Sequence, residues 1–262
     1  MTHKKPQEIL EININTAVSK AGLSARQTVL LGLMAGFFIA MAGAAANMGT
    51  YYFLGNPLTA GIGKMLSGMI FPAGLMMVSL AGAELFTGNS LMTAALLDRK
   101  ISVGAMLKNW ITVYLANFAG SVFIAWIVVS SGLLEAGDGM LSDVTVSIAV
   151  SKVQLTFFEA FSRGILCNIL VCAAVWMASG ADSSAGKIFC LYFPIWLFVT
   201  AGFEHSIANM YFIPAAIFAA GGEAALSWDS FLLDNLLPVT LGNIVGGAVF
   251  TAGIYYFAYK TK

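Results

Sequence analysis

Read for polarity alone, the chain alternates long apolar segments with short polar joints. Apolar runs cover approximately 28–50, 66–97, 106–131, 156–180, 187–219 and 236–259. The first, third, fourth and sixth each have the roughly 20 residues a helix needs to cross the hydrocarbon of a bilayer. The second and fifth are longer, and one pattern interrupts both. Gly82-Ala-Glu-Leu-Phe-Thr-Gly-Asn89 and Gly202-Phe-Glu-His-Ser-Ile-Ala-Asn209 each read GxExxxxN. An acid, an amide and a glycine inside an apolar segment are costly in lipid unless they face a cavity or a pathway. Each long segment is therefore expected to be two half-helices joined by a non-helical stretch. The predicted fold is all-α, a six-helix membrane protein with helices 2 and 5 broken.

A second match supports a duplication. Lys108-Asn-Trp-Ile-Thr-Val-Tyr-Leu-Ala-Asn-Phe-Ala-Gly120 aligns with Asp234-Asn-Leu-Leu-Pro-Val-Thr-Leu-Gly-Asn-Ile-Val-Gly246, with identical pairs at Asn109/Asn235, Asn117/Asn243 and Gly120/Gly246. The order "broken segment, then asparagine-containing segment" thus occurs once in each half, about 27–131 and 156–259. Three crossings per half is an odd number, so the halves insert in opposite orientations. The two interruptions then meet near the midplane from opposite sides.

Composition agrees with this reading. Only 10% of the 262 residues are charged and the mean hydropathy is +0.84, whereas a soluble domain is about a quarter charged. A net charge of zero gives no nucleic-acid signal. Lys4, Lys5, Lys20, Arg26, Arg99, Lys100, Lys108, Lys187, Lys260 and Lys262 share one face, Lys64 and Lys152 lie opposite, and Arg163 falls inside the fourth segment. The excess of positive charge places both termini in the cytoplasm of a cell inner (plasma) membrane protein. The acids Glu135, Asp138, Asp143, Glu223, Asp229 and Asp234 fall in the outer loops. Residues 1–26 lack a long apolar core, which argues against a cleaved signal peptide. Within them, Ile9, Leu10, Ile14, Ala17, Val18 and Ala21 share one helical face, an amphipathic helix on the membrane surface or under the pore. Residues 27–262 form one pore domain. Cys167, Cys172 and Cys190 show no ligand spacing and read as small buried hydrophobes, so no metal or cofactor is expected.

The polar residues at the breaks are the candidate chemistry. His205, the only histidine besides His3, sits beside Glu204 and can exchange protons near neutral pH. Thr87 offers a hydroxyl in the matching region of the first break. Glu84 and Glu204 are expected to accept backbone N–H groups freed by the broken helices, with Asn89 and Asn209 alongside. Asn117 and Asn243 read as helix-joining amides, and Asn243 can also orient His205. Lys152, at the outer end of the fourth crossing, reads either as an anion attractor or as a snorkelling lysine. Arg163 and Glu159, one turn apart, are expected to pair.

These strings resemble the formate/nitrite transporter family over nearly the whole chain. The resemblance is carried by Ala83-Glu-Leu-Phe-Thr-Gly88, Gly164-Ile-Leu-Cys-Asn168 with Cys172-Ala-Ala-Val-Trp176, Gly202-Phe-Glu-His-Ser-Ile-Ala-Asn209, and Asp234-Asn-Leu-Leu-Pro-Val-Thr-Leu-Gly-Asn243. It implies an aquaporin-like protomer with its own pore, assembled as a homopentamer, that carries small anions of weak acids. It also implies that Leu85 and Thr87 lie on the first interruption and that His205 is the central pore histidine with Asn243 beside it. Phe71 and Phe198 would be aromatic constrictions on either side of it, Lys152 an outer-vestibule lysine and Asn168 a pore-side amide. The amino-terminal helix resembles a segment proposed to close the inner mouth at low pH. The expected function is a formate channel or transporter with proton exchange at His205; nitrite and hydrosulfide are the alternative substrates. A water or glycerol channel is a remoter reading, since the paired Asn-Pro-Ala signature is absent. A membrane-embedded enzyme is another, without metal or nucleophile motifs to support it.

Overall fold

In the computed structural model, which describes residues 4–220 and 226–260, every regular element is helical. His3, Glu223 and Lys262 lie outside the described residues. The chain opens with α1 (Pro6–Ala21), in whose first turn Glu8 Oε2 accepts the Lys5 N–H at 2.8 Å. Next comes α2 (Ala25–Leu54), started by a capping box in which Ser24 N–H bonds Gln27 Oε1 and Gln27 N–H bonds Ser24 Oγ. The second crossing is α3 (Ala60–Ile70) followed by α4 (Pro72–Ala81), because Pro72 has no N–H to continue the ladder past Phe71. After the first break come α5 (Phe86–Asn89), a 3-10 turn (Ser90–Met92) and α6 (Thr93–Leu97). The first half closes with α7 (Val103–Ser130).

A helix the hydropathy pattern had assigned to a loop follows: α8 (Met140–Val153), with Lys152 in its last turn. Lys152 therefore belongs to a separate connector helix and not to the end of the fourth crossing. The second half repeats the first: α9 (Phe157–Gly180), α10 (Ser184–Ala201), the second break, then α11 (Ser206–Ala219). The last crossing, Ser230–Tyr259, begins earlier than the apolar run suggested. It is α12 (Leu237–Ile244) between two π-helical stretches, Ser230–Leu236 and Val245–Gly253, and ends in α13 (Ile254–Tyr259).

Among the described residues six spans are long and apolar enough to cross a membrane, and no more than half of any one's most apolar window is buried inside the protein. Side chains such as Leu30, Ile111, Leu115, Phe158, Phe189 and Phe257 point outward. Apolar surface on that scale needs lipid or neighbouring subunits, not water. Inside, α2 packs on α7 and α9 on α12 through bare backbone. A Cβ on Gly36 would come within 2.5 Å of Asn117 O, and one on Gly242 within 2.1 Å of Phe161 O. Small residues permit this contact, which lets the flanking asparagines reach across.

α1 lies beneath the bundle on the face that carries both termini. Ile9, Leu10, Asn13, Ile14 and Ala17 are buried, while Val18, expected on the same stripe, is exposed. Three lysines tie the helix down: Lys4 to Asp182, Lys20 to Glu84 at 3.0 Å, and Lys260 to Glu11 at 2.9 Å. Lys260 also meets Asp98 at 2.9 Å. These two carboxylates hold its ammonium well above the usual lysine range.

Candidate functional site

Both breaks start at a glycine in the left-handed region, Gly82 at φ 84° and Gly202 at φ 74°, where a side chain would be strained. The chain then has to place its freed backbone donors. Ala83 and Phe203 turn their N–H groups back to Val78 O (2.8 Å) and Phe198 O (3.1 Å). Glu84 and Glu204 donate sideways, to Leu31 O (3.1 Å) on α2 and Arg163 O (3.3 Å) on α9. Phe86 N–H goes to Asn117 Oδ1 at 3.0 Å and Ser206 N–H to Asn243 Oδ1 at 2.9 Å. Each asparagine completes the clamp from its Nδ2. Asn117 bonds Gly32 O (2.8 Å) and Glu84 O (2.9 Å), and Asn243 bonds Gly164 O (2.8 Å) and Glu204 O (2.9 Å). Irregular backbone at membrane depth is tolerable because its donors and acceptors are answered in this way.

The glutamates accordingly do a different job from the one expected of them. Glu84 Oε2 accepts Asn89 Nδ2 (2.8 Å) and Oε1 pairs with Lys20 (3.0 Å). Glu204 Oε2 accepts Asn209 Nδ2 (2.7 Å) and Oε1 pairs with Lys152 (2.8 Å). The asparagine clamps already serve the backbone, so the carboxylates are compensated by cations. Lys20 was not among the residues singled out as a partner. Its only signal is a basic residue at the end of an amphipathic helix. Arg163 and Glu159 do not form an ion pair within 4 Å: Glu159 is taken by Thr156 in a capping box, at 2.8 Å from its N and 2.7 Å from Oγ1.

Between the breaks lies a buried pair from the two halves, Thr87 Oγ1 and His205 Nε2, 3.0 Å apart. Thr87 is fully buried and His205 is 3% exposed. His205 is also the N-cap of α11, and its Nδ1 accepts the Ala208 N–H at 3.0 Å. A backbone N–H can only donate, so Nδ1 presents its lone pair and the neutral ring carries its proton on Nε2. Nε2–H then donates to Thr87 Oγ1, leaving the threonine hydroxyl proton free for a third group.

Phe198 stacks on the imidazole with centroids 5.9 Å apart and meets Phe71 edge-on at 6.0 Å. The two phenylalanines thus form one aromatic row continuing to Phe212, not two constrictions on opposite sides of His205. On the face of the termini, a cavity of about 420 Å³ is lined by Leu75, Val78, Leu85, Glu84, Asn89 and Lys20, among others. Leu75, one turn after Phe71 on an apolar helix, carried no signal in the sequence that separated it from its neighbours. Asn168 is fully buried and bonds Thr87 O (3.2 Å), Ser90 Oγ (3.2 Å) and Asn243 O (2.6 Å), so it ties the two halves together.

Two inverted three-helix repeats whose broken spans meet at a buried polar pair define the protomer of a membrane channel or transporter. The chain belongs to the formate/nitrite transporter family, whose model matches residues 7–257. It is 42% identical over 247 residues to a probable formate transporter of Methanothermobacter thermautotrophicus, covering 89% of each chain. It is 38% identical over 272 residues to the formate channel FocA of Haemophilus influenzae, covering 98% of this chain and 94% of that protein. Among solved structures, a pentameric formate channel with formate bound aligns at TM-score 0.79 and 35% identity. That alignment covers 90% of this chain and 97% of the other.

Proposed function

We propose that this protein is a formate channel or transporter of the plasma membrane, with five protomers and a pore in each. Three relatives named for formate support the substrate, and a pentameric structural relative supports the assembly. Lys4, Lys20 and Lys260 lie on the face of the termini, which supports a cytoplasmic assignment of that face. The pore path runs from the cavity beneath Leu85 and Leu75, past Thr87 and His205, to the row of Phe198 and Phe71.

The observation that carries the mechanism is the hydrogen bond between Thr87 and His205. A carboxylate alone among leucine and phenylalanine side chains faces a desolvation cost of many kcal/mol, whereas the neutral acid faces only a few. Lys152, expected as an anion attractor, is engaged by Glu204 at 2.8 Å, and Lys20 by Glu84 at 3.0 Å, so neither brings an unpaired charge to the path. Between the leucines and the phenylalanine row the pair offers the Thr87 hydroxyl proton, polarised by Nε2–H. Because Nδ1 is engaged by Ala208, the ring serves as a hydrogen-bond donor that stays neutral. The proton that neutralises formate then comes from hydronium in the vestibule solution and crosses as part of the neutral acid, so nothing is left behind on the protein.

The test is formate uptake into liposomes with internal pH recorded. His205→Phe is expected to abolish pH-dependent uptake. His205→Asn, which can still donate a hydrogen bond, is expected to retain part of it. Unchanged proton-coupled flux in His205→Phe removes the scheme. Nitrite and hydrosulfide in the same assay, and swelling with glycerol, decide among the other substrates.

A further inference from the structure

The backbone of Thr87 rests on groups that the pore path does not use. Asn168 and Cys172 stand one turn apart on α9, both fully buried, and both reach the Thr87 carbonyl: Nδ2 at 3.2 Å and Sγ at 3.4 Å. The Ser90 N–H also bonds this carbonyl at the end of α5, so the thiol is one of three donors that converge on it. Facing them is Gly247, in the π-helical stretch of the last crossing. A Cβ on Gly247 would come within 2.5 Å of Asn168 Nδ2, 2.5 Å of Ser90 Cβ and 2.8 Å of Cys172 Sγ. The sulfur therefore fills a notch that exists only because residue 247 has no side chain. Asn168 Oδ1 lies farther from the thiol, at 3.7 Å.

We propose that Cys172, seated against Gly247, is a positioning residue for the pore. Its S–H bond to the Thr87 carbonyl helps fix the peptide that carries Thr87, and so holds Oγ1 where it accepts the His205 Nε2–H. The thiol does not touch the substrate; it acts through Thr87. A cysteine that merely packs would tolerate alanine with a change in stability alone. A positioning cysteine tolerates serine, which keeps an O–H in the same place, and does not tolerate alanine.

This inference rests on the formate reading, and its test separates the two. Formate flux per assembled pentamer is measured in liposomes for Cys172→Ala and Cys172→Ser, against concentration and against pH. Cys172→Ala is expected to lose about fivefold in maximal flux, the value of one modest hydrogen bond, with an unchanged half-saturation concentration. Cys172→Ser is expected to stay close to the parent. Parental maximal flux and pH profile in Cys172→Ala overturn the proposal. If that variant does not assemble, the S–H stretching band is read in Cys167→Ala/Cys190→Ala, where Cys172 is the remaining thiol. A hydrogen-bonded band that moves when formate is added supports the proposal, and a free-thiol band indifferent to formate overturns it. If the parent protein carries no formate, the functional reading fails. The band position in the absence of formate then decides the thiol contact by itself: a hydrogen-bonded band supports it and a free-thiol band overturns it.

Discussion

Around Glu84, the amide of Asn89 lies 2.8 Å from the carboxylate and 2.8 Å from Asn109 Oδ1, and Lys20 closes the group at 3.0 Å. Around Glu204 the matching distances, through Asn209, Asn235 and Lys152, are 2.7, 2.8 and 2.8 Å. The duplication has preserved the acid and its amides. The cations are not duplicated: Lys20 arrives from α1, outside the repeats, and Lys152 from α8, the connector between them. Each buried carboxylate needs a counter-charge, and each half obtained one from a different appended helix. The fit differs as well. Lys20 also reaches Asn89 Oδ1 at 2.7 Å, whereas Asn209 Oδ1 is buried without a partner among the described residues. Lys152 instead leans over the Phe212 ring at 5.7 Å. At the N-cap of the following half-helix, one break has Leu85 and the other His205. One architecture therefore serves two ends, and the chemistry comes from a few unequal positions.

The strongest way to break this comparison is to erase the inequality at the caps. His205→Leu, which makes both breaks alike, is expected to lower formate flux about tenfold, as loss of one hydrogen bond between neutral groups implies. Moving the pair to the other break, with Leu85→His, Thr87→Ile and Ile207→Thr added, is expected to recover part of that flux in liposomes. No recovery would show that the unequal lysine groups matter more than the caps.

The next effect concerns the ion pairs. Lys152→Leu leaves Glu204 buried without its cation and is expected to cost about 3–5 kcal/mol of stability. Lys20→Leu should cost less, because Lys20 is 26% exposed against 16% for Lys152. Thermal unfolding of the detergent-purified protein checks the order. Equal losses would mean that solvent access does not distinguish the two groups.

A smaller loss, about 1–3 kcal/mol from overpacking, is expected for Gly36→Ala and Gly242→Ala. The second should be the worse, since its contact distance is 2.1 Å against 2.5 Å. The same unfolding assay decides.

The smallest effect belongs to the tether of α1. A lysine whose folded value is raised contributes fully below its unfolded pKa of about 10.4 and loses its contribution as pH climbs through the folded value. Through its own titration, Lys260 therefore holds Glu11 and Asp98 across the neutral range and releases them only in strong alkali. Lys260→Met is expected to speed hydrogen exchange in α1 at pH 7 while leaving α2 unchanged. Equal exchange in parent and variant would show that Lys4 and Lys20 suffice.

Hydropathy, the GxExxxxN repeat and the odd number of crossings per half determined six spans, two breaks and inverted halves, because these follow from what a bilayer permits along one chain. Thr87 and His205 were legible as polar residues in places where lipid penalises them. The partners of Glu84 and Glu204, the single row of Phe71 and Phe198, and the backing of Thr87 by Cys172 and Gly247 were decided only by the fold. They are contacts between residues far apart in sequence, and periodicity reports which face a side chain occupies but not which neighbour meets it there. Lys152 shows the limit clearly: its charge was visible, but the carboxylate that claims it was fixed only when α8 packed beside α11.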